Sequence, residues 1–171
     1  MSLSVTSVPV ARRAGSVLAG VFLAAVMAVL SLGMPGTAAA APVPATMPAG
    51  DYKLVVRHSE KCLDVANMSF AHAADVIQGN CHGGRNQQWR FKATDKGYYE
   101  VKARHSNMCL DVYNADRAHL ANVIQGRCVG GKNQQWKFLP TDGGYYKVVA
   151  RHSNRCIDVA NLSIAHTANV I

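Results

Sequence analysis

The sequence predicts an all-β domain assembled from one supersecondary unit used three times, and three observations carry that prediction. Landmark residues recur at a fixed spacing: Cys62, Cys109 and Cys156 are 47 residues apart, as are Trp89 and Trp136. The words around them repeat, as "RHSEKCLDV", "RHSNMCLDV" and "RHSNRCIDV", and as "VIQGNCHGGRNQQWRF" and "VIQGRCVGGKNQQWKF". A fixed period longer than a single strand or helix marks a repeated structural unit. Finally, the residues after position 50 form short β-type runs bounded by Gly, Asn, Asp and Ser, with no helical periodicity.

Residues 1–40 read as a secretion signal. Arg12 and Arg13 supply a positive start, residues 14–34 are almost wholly apolar, and "TAAAA" offers a small-residue cleavage site after Ala40. The competing reading is an uncleaved membrane anchor, since the apolar stretch approaches spanning length. The small and Pro-rich residues that follow favour cleavage, with no stable membrane association afterwards. The arginine pair alone is a weak pointer to twin-arginine export. "APVPATMPAG", residues 41–50, reads as a Pro/Ala linker.

The domain proper is residues 51–171, with repeats at 52–98, 99–145 and 146–171. In the first, "YKLVV", "CLDV", "DVIQG" and "QQWRF" read as four short strands. "TDKGYY" and "TDGGYY" read as hairpin turns in which glycine takes the positive φ. Within "CLDV" the period of two puts Leu63 and Val65 toward the core and Asp64 outward with Cys62. The two tryptophans recur in register, and core packing is their expected role over ligand stacking.

Five cysteines in an exported chain point to disulfides. The spacing from Cys62 to Cys81 equals that from Cys109 to Cys128, so bridges within each repeat are the simplest pairing. Each would close a loop of about 20 residues, worth roughly 3 kcal/mol in the chain-entropy account. Cys156 is left unpaired, because its counterpart would fall beyond Ile171. The spacings contain no close cysteine pair of the zinc type. The formal charge is +8; without Arg12 and Arg13, 16 basic residues face 10 acidic ones, leaving +6. These bases are scattered and read as a solvated surface. No basic cluster with interleaved aromatics supports nucleic-acid binding.

The Gln-x-Trp triplets, the Cys-Leu-Asp-Val words and the Asn-Gln before Trp resemble the ricin B-type lectin family, over residues 51–171. The resemblance implies a β-trefoil, three related repeats about a pseudo-threefold axis, and a shallow sugar pocket in each repeat. It assigns Asp64, Asn86 and Gln87 to the first pocket, with Gln78 nearby, and Asp111, Asn133 and Gln134 to the second, with Gln125 nearby. The third repeat keeps only Asp158. An ionised Asp accepts hydrogen bonds and an amide both donates and accepts, which together match vicinal hydroxyls. The competing reading is that Asn86 and Gln87, and Gln134 with its triplet, satisfy local backbone.

Two departures from the family pattern follow. Gly79 and Gly126 stand where the sugar-covering aromatic belongs, leaving His82 and Tyr113 as substitutes. The third copy stops about 16 residues short of the others, which removes one tryptophan, one disulfide and two closing strands. Unpaired edges are then expected, and with them self-association. The "Arg-His-Ser" words invite a Ser-His-Asp triad of His58, Ser59 and Asp64. A triad is recognised by geometry, and one copied around a symmetric fold is improbable. His58, His105 and His152 read as turn or packing residues, and His72, His119 and His166 as loop residues near the pocket rim.

The sequence therefore points to a secreted, extracellular, non-catalytic module. It binds glycans or polysaccharide, such as galactose-type ends, and needs no metal or cofactor. Two alternatives stand beside it: a secreted β-trefoil that binds a protein, such as a protease inhibitor, and the lectin appendage of a longer glycoside hydrolase.

Overall fold

The computed structural model describes residues 2–8 and 47–171. Among these are ten strands: β1 (Leu3–Ser7), β2 (Tyr52–Val56), β3 (Cys62–Val65), β4 (Ala74–Gly79), β5 (Trp89–Ala93), β6 (Tyr99–Ala103), β7 (Cys109–Val112), β8 (Val123–Gly126), β9 (Gln135–Pro140) and β10 (Tyr145–Ala150). All other regular structure in them is single 3₁₀ turns. The four strand words of the first repeat each become a strand, with one shift. The last strand starts at Trp89, and Gln87 sits in the 3₁₀ turn Arg85–Gln87 before it.

Six strands close on themselves in the order β1, β10, β9, β6, β5, β2, because β2 also pairs with β1. A closed barrel has no free edge to protect. The β3–β4 and β7–β8 hairpins pack at one end and pair with each other through β4 and β8. The segment around Cys156 makes only isolated bridges, Val149 with Cys156 and Val159 with Val170. The core fills the barrel: Trp89, Trp136, Leu3, Leu54, Leu63, Leu110 and Ile157 are all essentially inaccessible. Each indole also donates to a backbone carbonyl, Trp89 to Leu63 at 3.2 Å and Trp136 to Leu110 at 2.9 Å. Core packing is thus the role of both tryptophans.

The barrel contains a strand that the sequence reading assigned elsewhere. Leu3 pairs with Tyr146 and with Val56. Trp89 pairs with Tyr52 and Ala103, and Trp136 with Tyr99 and Ala150. These partners are 47 residues apart, so Leu3 holds the third tryptophan position. The expectation of an open barrel is corrected accordingly: β1 supplies the strand that closes it. Residues 2–8 fall within the stretch read as a secretion signal. The rest of that stretch, with Arg12, Arg13 and most of the linker, lies outside the described residues.

Turns between strands use the left-handed region, as "TDKGYY" predicts: Lys96 and Gly97 have φ of 55° and 75°. Both disulfides form within their repeats, Cys62–Cys81 and Cys109–Cys128, each with a Cα–Cα distance of 5.2 Å. Cys156 is free and exposed.

Neighbouring repeats are tied by side chains. His58 Nε2 donates to Ser163 O, His105 Nε2 to Ser69 O and His152 Nε2 to Asp116 O, at 2.8–3.0 Å. Arg57 makes a bidentate pair with Asp142, at 2.8 Å to each oxygen, and Arg151 makes one with Asp95. Hydrogen bonding from Arg151 holds the Asp95 carboxyl down at about 2. A depressed folded pKa means that the pair stabilises the fold above the unfolded value of about 3.9, and that this is lost as pH falls toward 2. Melting temperatures of the native protein and Asp95→Asn should therefore differ above pH 4 and converge toward pH 2. A gap that persists unchanged at pH 2 would exclude this pair as its source.

Candidate carbohydrate-binding site

Asp64 is the middle of the candidate site in the first repeat. Strand alternation turns it away from Leu63 and Val65, but it is only 4% exposed. The 3₁₀ turn Arg85–Gln87 folds over it. Asn86 Nδ2 donates to Asp64 Oδ1, and Gln87 Nε2 to Oδ2 at 2.8 Å. His82 Nε2 lies 3.5 Å from Oδ2, on a side chain that is half exposed. The expectation of an outward Asp64 is therefore corrected: it leaves the core face but is covered by an amide cradle.

The second repeat reproduces this arrangement. Asn133 Nδ2 donates to Asp111 Oδ1 at 2.5 Å, and Gln134 Nε2 to Oδ2 at 2.7 Å. Burial raises the Asp111 pKa, opposed by the bonds from Gln134 and Asn133. The rings differ between repeats. Val129 stands where His82 does, and Tyr113, 46% exposed, stands where Ala66 does. Each carboxylate thus has one ring candidate nearby in sequence or space, reached by a different route.

The glutamines have other work. Gln87 Oε1 accepts from His82 N at 2.9 Å, and its Nε2 also donates to Asn80 O at 2.8 Å. Gln134 does the same with Val129 N and Arg127 O. Both therefore brace the loop that carries the second cysteine. Gln78 is wholly buried. It accepts from the Ser59 hydroxyl and donates to Ser163 O and Ala165 O. Gln125 repeats this with Ser106, Ser69 O and Ala71 O. Both ends of all four amides are spent on internal hydrogen bonds, and Gln78 and Gln125 are links between repeats. Ser59 and Ser106 were not singled out in the sequence for this role, although their recurrence in the "Arg-His-Ser" words was the available signal.

Gly79 and Gly126, read from sequence as absent aromatics, are positive requirements. A Cβ on Gly79 would sit 2.5 Å from Asp64 Oδ2, closer than atoms approach, and one on Gly126 would collide with Asp111. Hydrogen bonding in the strand pair sets this contact, since Gly79 faces Cys62 and Gly126 faces Cys109 in register. The triad reading finds no support: Ser59 is bound to Gln78, His58 to Ser163 O, and Asp64 to the cradle. His72 Nδ1 and His166 Nδ1 accept from backbone N–H groups of Arg127 and Asn80. No group of three or more His, Cys, Asp or Glu among the described residues is placed to hold a metal ion. No helix among them is long and apolar enough to cross a membrane.

The sequence profile of the ricin-type β-trefoil lectin domain-like family matches residues 43–126 and 85–171. No curated protein sequence matches the chain significantly. Among solved structures, the designed threefold-symmetric protein ThreeFoil is 53% identical with a TM-score of 0.70, the match covering 71% of this chain and 86% of that one. An exo-β-1,3-galactanase from Clostridium thermocellum is 35% identical at a TM-score of 0.69, covering 70% of this chain but only 26% of the enzyme. The Rhizoctonia solani agglutinin, 23% identical at 0.66, shares the fold over 75% of this chain and 88% of its own. With profile matches spanning most of the chain, twin Asp cradles in register and a closed all-β barrel, the chain belongs to the ricin-type β-trefoil lectin-like family.

Proposed function

We propose that the protein is a secreted, non-catalytic module that binds galactose-type ends or polysaccharide at two sites. The first is formed by Asp64, Asn86 and His82, and the second by Asp111, Asn133 and Tyr113. One observation carries the reading: two carboxylates 47 residues apart are held by the same pair of amides. A carboxylate has about four acceptor positions, so each keeps capacity for sugar hydroxyls beyond its amide bonds. The exposed Tyr113 ring offers an apolar face to the C–H side of a sugar. The galactanase and the agglutinin among the similar structures point toward a carbohydrate ligand. Two disulfides fit an extracellular setting.

The test is a glycan array followed by retention on immobilised β-1,3-galactan. His82→Ala and Tyr113→Ala alter half-exposed side chains, so each should leave stability within about 0.5 kcal/mol. Each should shorten retention, and the double variant should abolish it. Retention unchanged in the double variant would remove these sites from the proposal.

A second reading, binding to a protein, is favoured by one feature. Phe70, Leu162 and Ile164 are 66–73% exposed on the turns after the Asp strands. An array without hits, combined with loss of a protein partner in Phe70→Ser, would establish that reading instead. The lectin appendage of a glycoside hydrolase is the third reading, supported by the galactanase match alone.

A further inference from the structure

The three repeats carry an Ala-His word at corresponding places, Ala71-His72, Ala118-His119 and Ala165-His166. The turns that hold these words are bonded to the next repeat in the cycle. Residues 69–73 lie against the second repeat: Gln125 Nε2 donates to Ser69 O at 2.7 Å and to Ala71 O at 2.9 Å, and Ala73 N donates to Gln125 O at 3.0 Å. Residues 163–167 lie against the first: Gln78 Nε2 donates to Ser163 O and Ala165 O, each at 2.8 Å, and Thr167 N donates to Gln78 O at 2.9 Å. The residue after each histidine, Ala73, Leu120 or Thr167, has φ of 63°, 70° or 71°. Side chains rarely adopt that region, and one such turn built three times is a shape the fold enforces.

These contacts bring each histidine to the cradle of the neighbouring repeat. Gly79 and Gly126 lie directly against the Asp64 and Asp111 carboxylates. One residue further on, Asn80 N donates to His166 Nδ1 at 3.1 Å and Arg127 N to His72 Nδ1 at 3.4 Å. A backbone N–H can only donate, so Nδ1 is bare and the proton of the neutral ring is on Nε2. Both histidines are exposed, and neither Nε2–H donates to a described residue. His82 is held in the same tautomer by Gly84 N, at 3.1 Å from its Nδ1, with its Nε2 3.5 Å from Asp64 Oδ2. Burial raises the Asp111 pKa, and after Gln134 and Asn133 the next group to oppose that rise is His72. His119 of the second repeat and Asp158 of the third line one cleft, the same adjacency one step further round the cycle.

We propose that His166 and His72 are specificity-determining ligands of the Asp64 and Asp111 sites, each supplied by the repeat that precedes the site in the cycle. The inference rests on the glycan reading above and deepens it. An ionised carboxylate only accepts hydrogen bonds, and the Nε2–H of a neutral imidazole only donates. A sugar hydroxyl between the two donates to the Asp and accepts from the His, so both of its roles are read. An O-methylated position accepts but cannot donate, and it leaves the carboxylate facing an ether oxygen. The sites therefore select glycans with free hydroxyls over their methylated counterparts. Each site also has one wall on a different repeat, so it exists only when two repeats are packed together.

The experiment measures retention of the full chain on immobilised β-1,3-galactan, one site at a time. Tyr113→Ala leaves the Asp64 site to be observed, and His82→Ala leaves the Asp111 site. In the Tyr113→Ala protein, His166→Phe keeps a ring but removes the donor, and should weaken binding about 2–10-fold, the worth of one hydrogen bond. His166→Gln restores an N–H near the Nε2 position and should recover most of it. His72→Phe and His72→Gln should do the same in the His82→Ala protein. Melting temperatures should not move, because both side chains are exposed. Nitrogen–proton correlation spectra of the ligand-free protein should show both rings as the Nε2–H tautomer. An Nδ1–H tautomer at either residue would overturn the proposal. So would unchanged retention in the Phe variants, or weakening that follows the histidine's own repeat, with His72→Phe acting in the Tyr113→Ala protein. A native protein that galactan does not retain at all overturns the glycan reading itself, and this inference with it.

Discussion

Trp136→Ala is expected to lower the unfolding free energy by about 3–5 kcal/mol, as for other buried aromatics truncated to alanine. That is a large share of the 5–15 kcal/mol typical of a whole domain. The indole is 1% exposed, stands at the junction of β6, β9 and β10, and donates to Leu110 O at 2.9 Å. Its removal opens a cavity that the surrounding strands cannot collapse into, because their spacing is set by backbone pairing. Trp89→Ala should behave alike, since Trp89 makes the same contacts one repeat earlier. Urea unfolding monitored by circular dichroism checks both. Leu3→Ala should cost less than either, because a leucine side chain is smaller than an indole and donates no hydrogen bond. A loss at Leu3 equal to that at Trp136 would show that side-chain size does not set the cost at this position.

The double variant Asp64→Asn with Asp111→Asn should weaken glycan binding about 10–100-fold, the range for losing hydrogen bonds to a charged group. A new amide NH₂ would face Asn86 Nδ2 or Gln87 Nε2, donor against donor, so one of the two bonds to each cradle is lost. The accompanying loss of stability should be about 1–3 kcal/mol at each site. Binding is to be measured well below the melting temperature, so that the two effects separate. Retention on galactan unchanged from the native protein would rule out the carboxylates as sugar ligands. Single variants apportion the two sites. Asp111, whose pKa burial raises, should lose its contribution at a higher pH than an ordinary aspartate.

The cradle also shows where sequence reasoning reached and where it stopped. The family resemblance was enough to place Asp64 beside Asn86 and Gln87, and the constant period carried the same grouping to Asp111, Asn133 and Gln134. It was not enough to rank them. The family resemblance assigns Gln78 and Gln125 to the pockets, as the glutamine shortly before the second cysteine of each repeat. In the fold they are consumed by Ser59 and Ser106 and by carbonyls of a neighbouring repeat. Those partners lie on segments that periodicity cannot bring together, such as Ser163 and Ala165 against Gln78. Gly79 read as a deficiency because an alignment registers only what a residue lacks. The space beside it, occupied by the Asp64 carboxylate, exists only in three dimensions.

The sequence by itself determined the strand words, the disulfide pairing and the burial of the two tryptophans. Each of these follows from local alternation and a constant 47-residue period, which act at short range and repeat. Only the tertiary structure decided what closes the barrel. Residues 2–8 share no word with "QQWRF" or "QQWKF", yet they occupy the same channel, because backbone N–H and C=O groups pair with little regard for side chains. A strand position in a barrel is defined by its neighbours, and those neighbours, β2 and β10, are assembled only on folding.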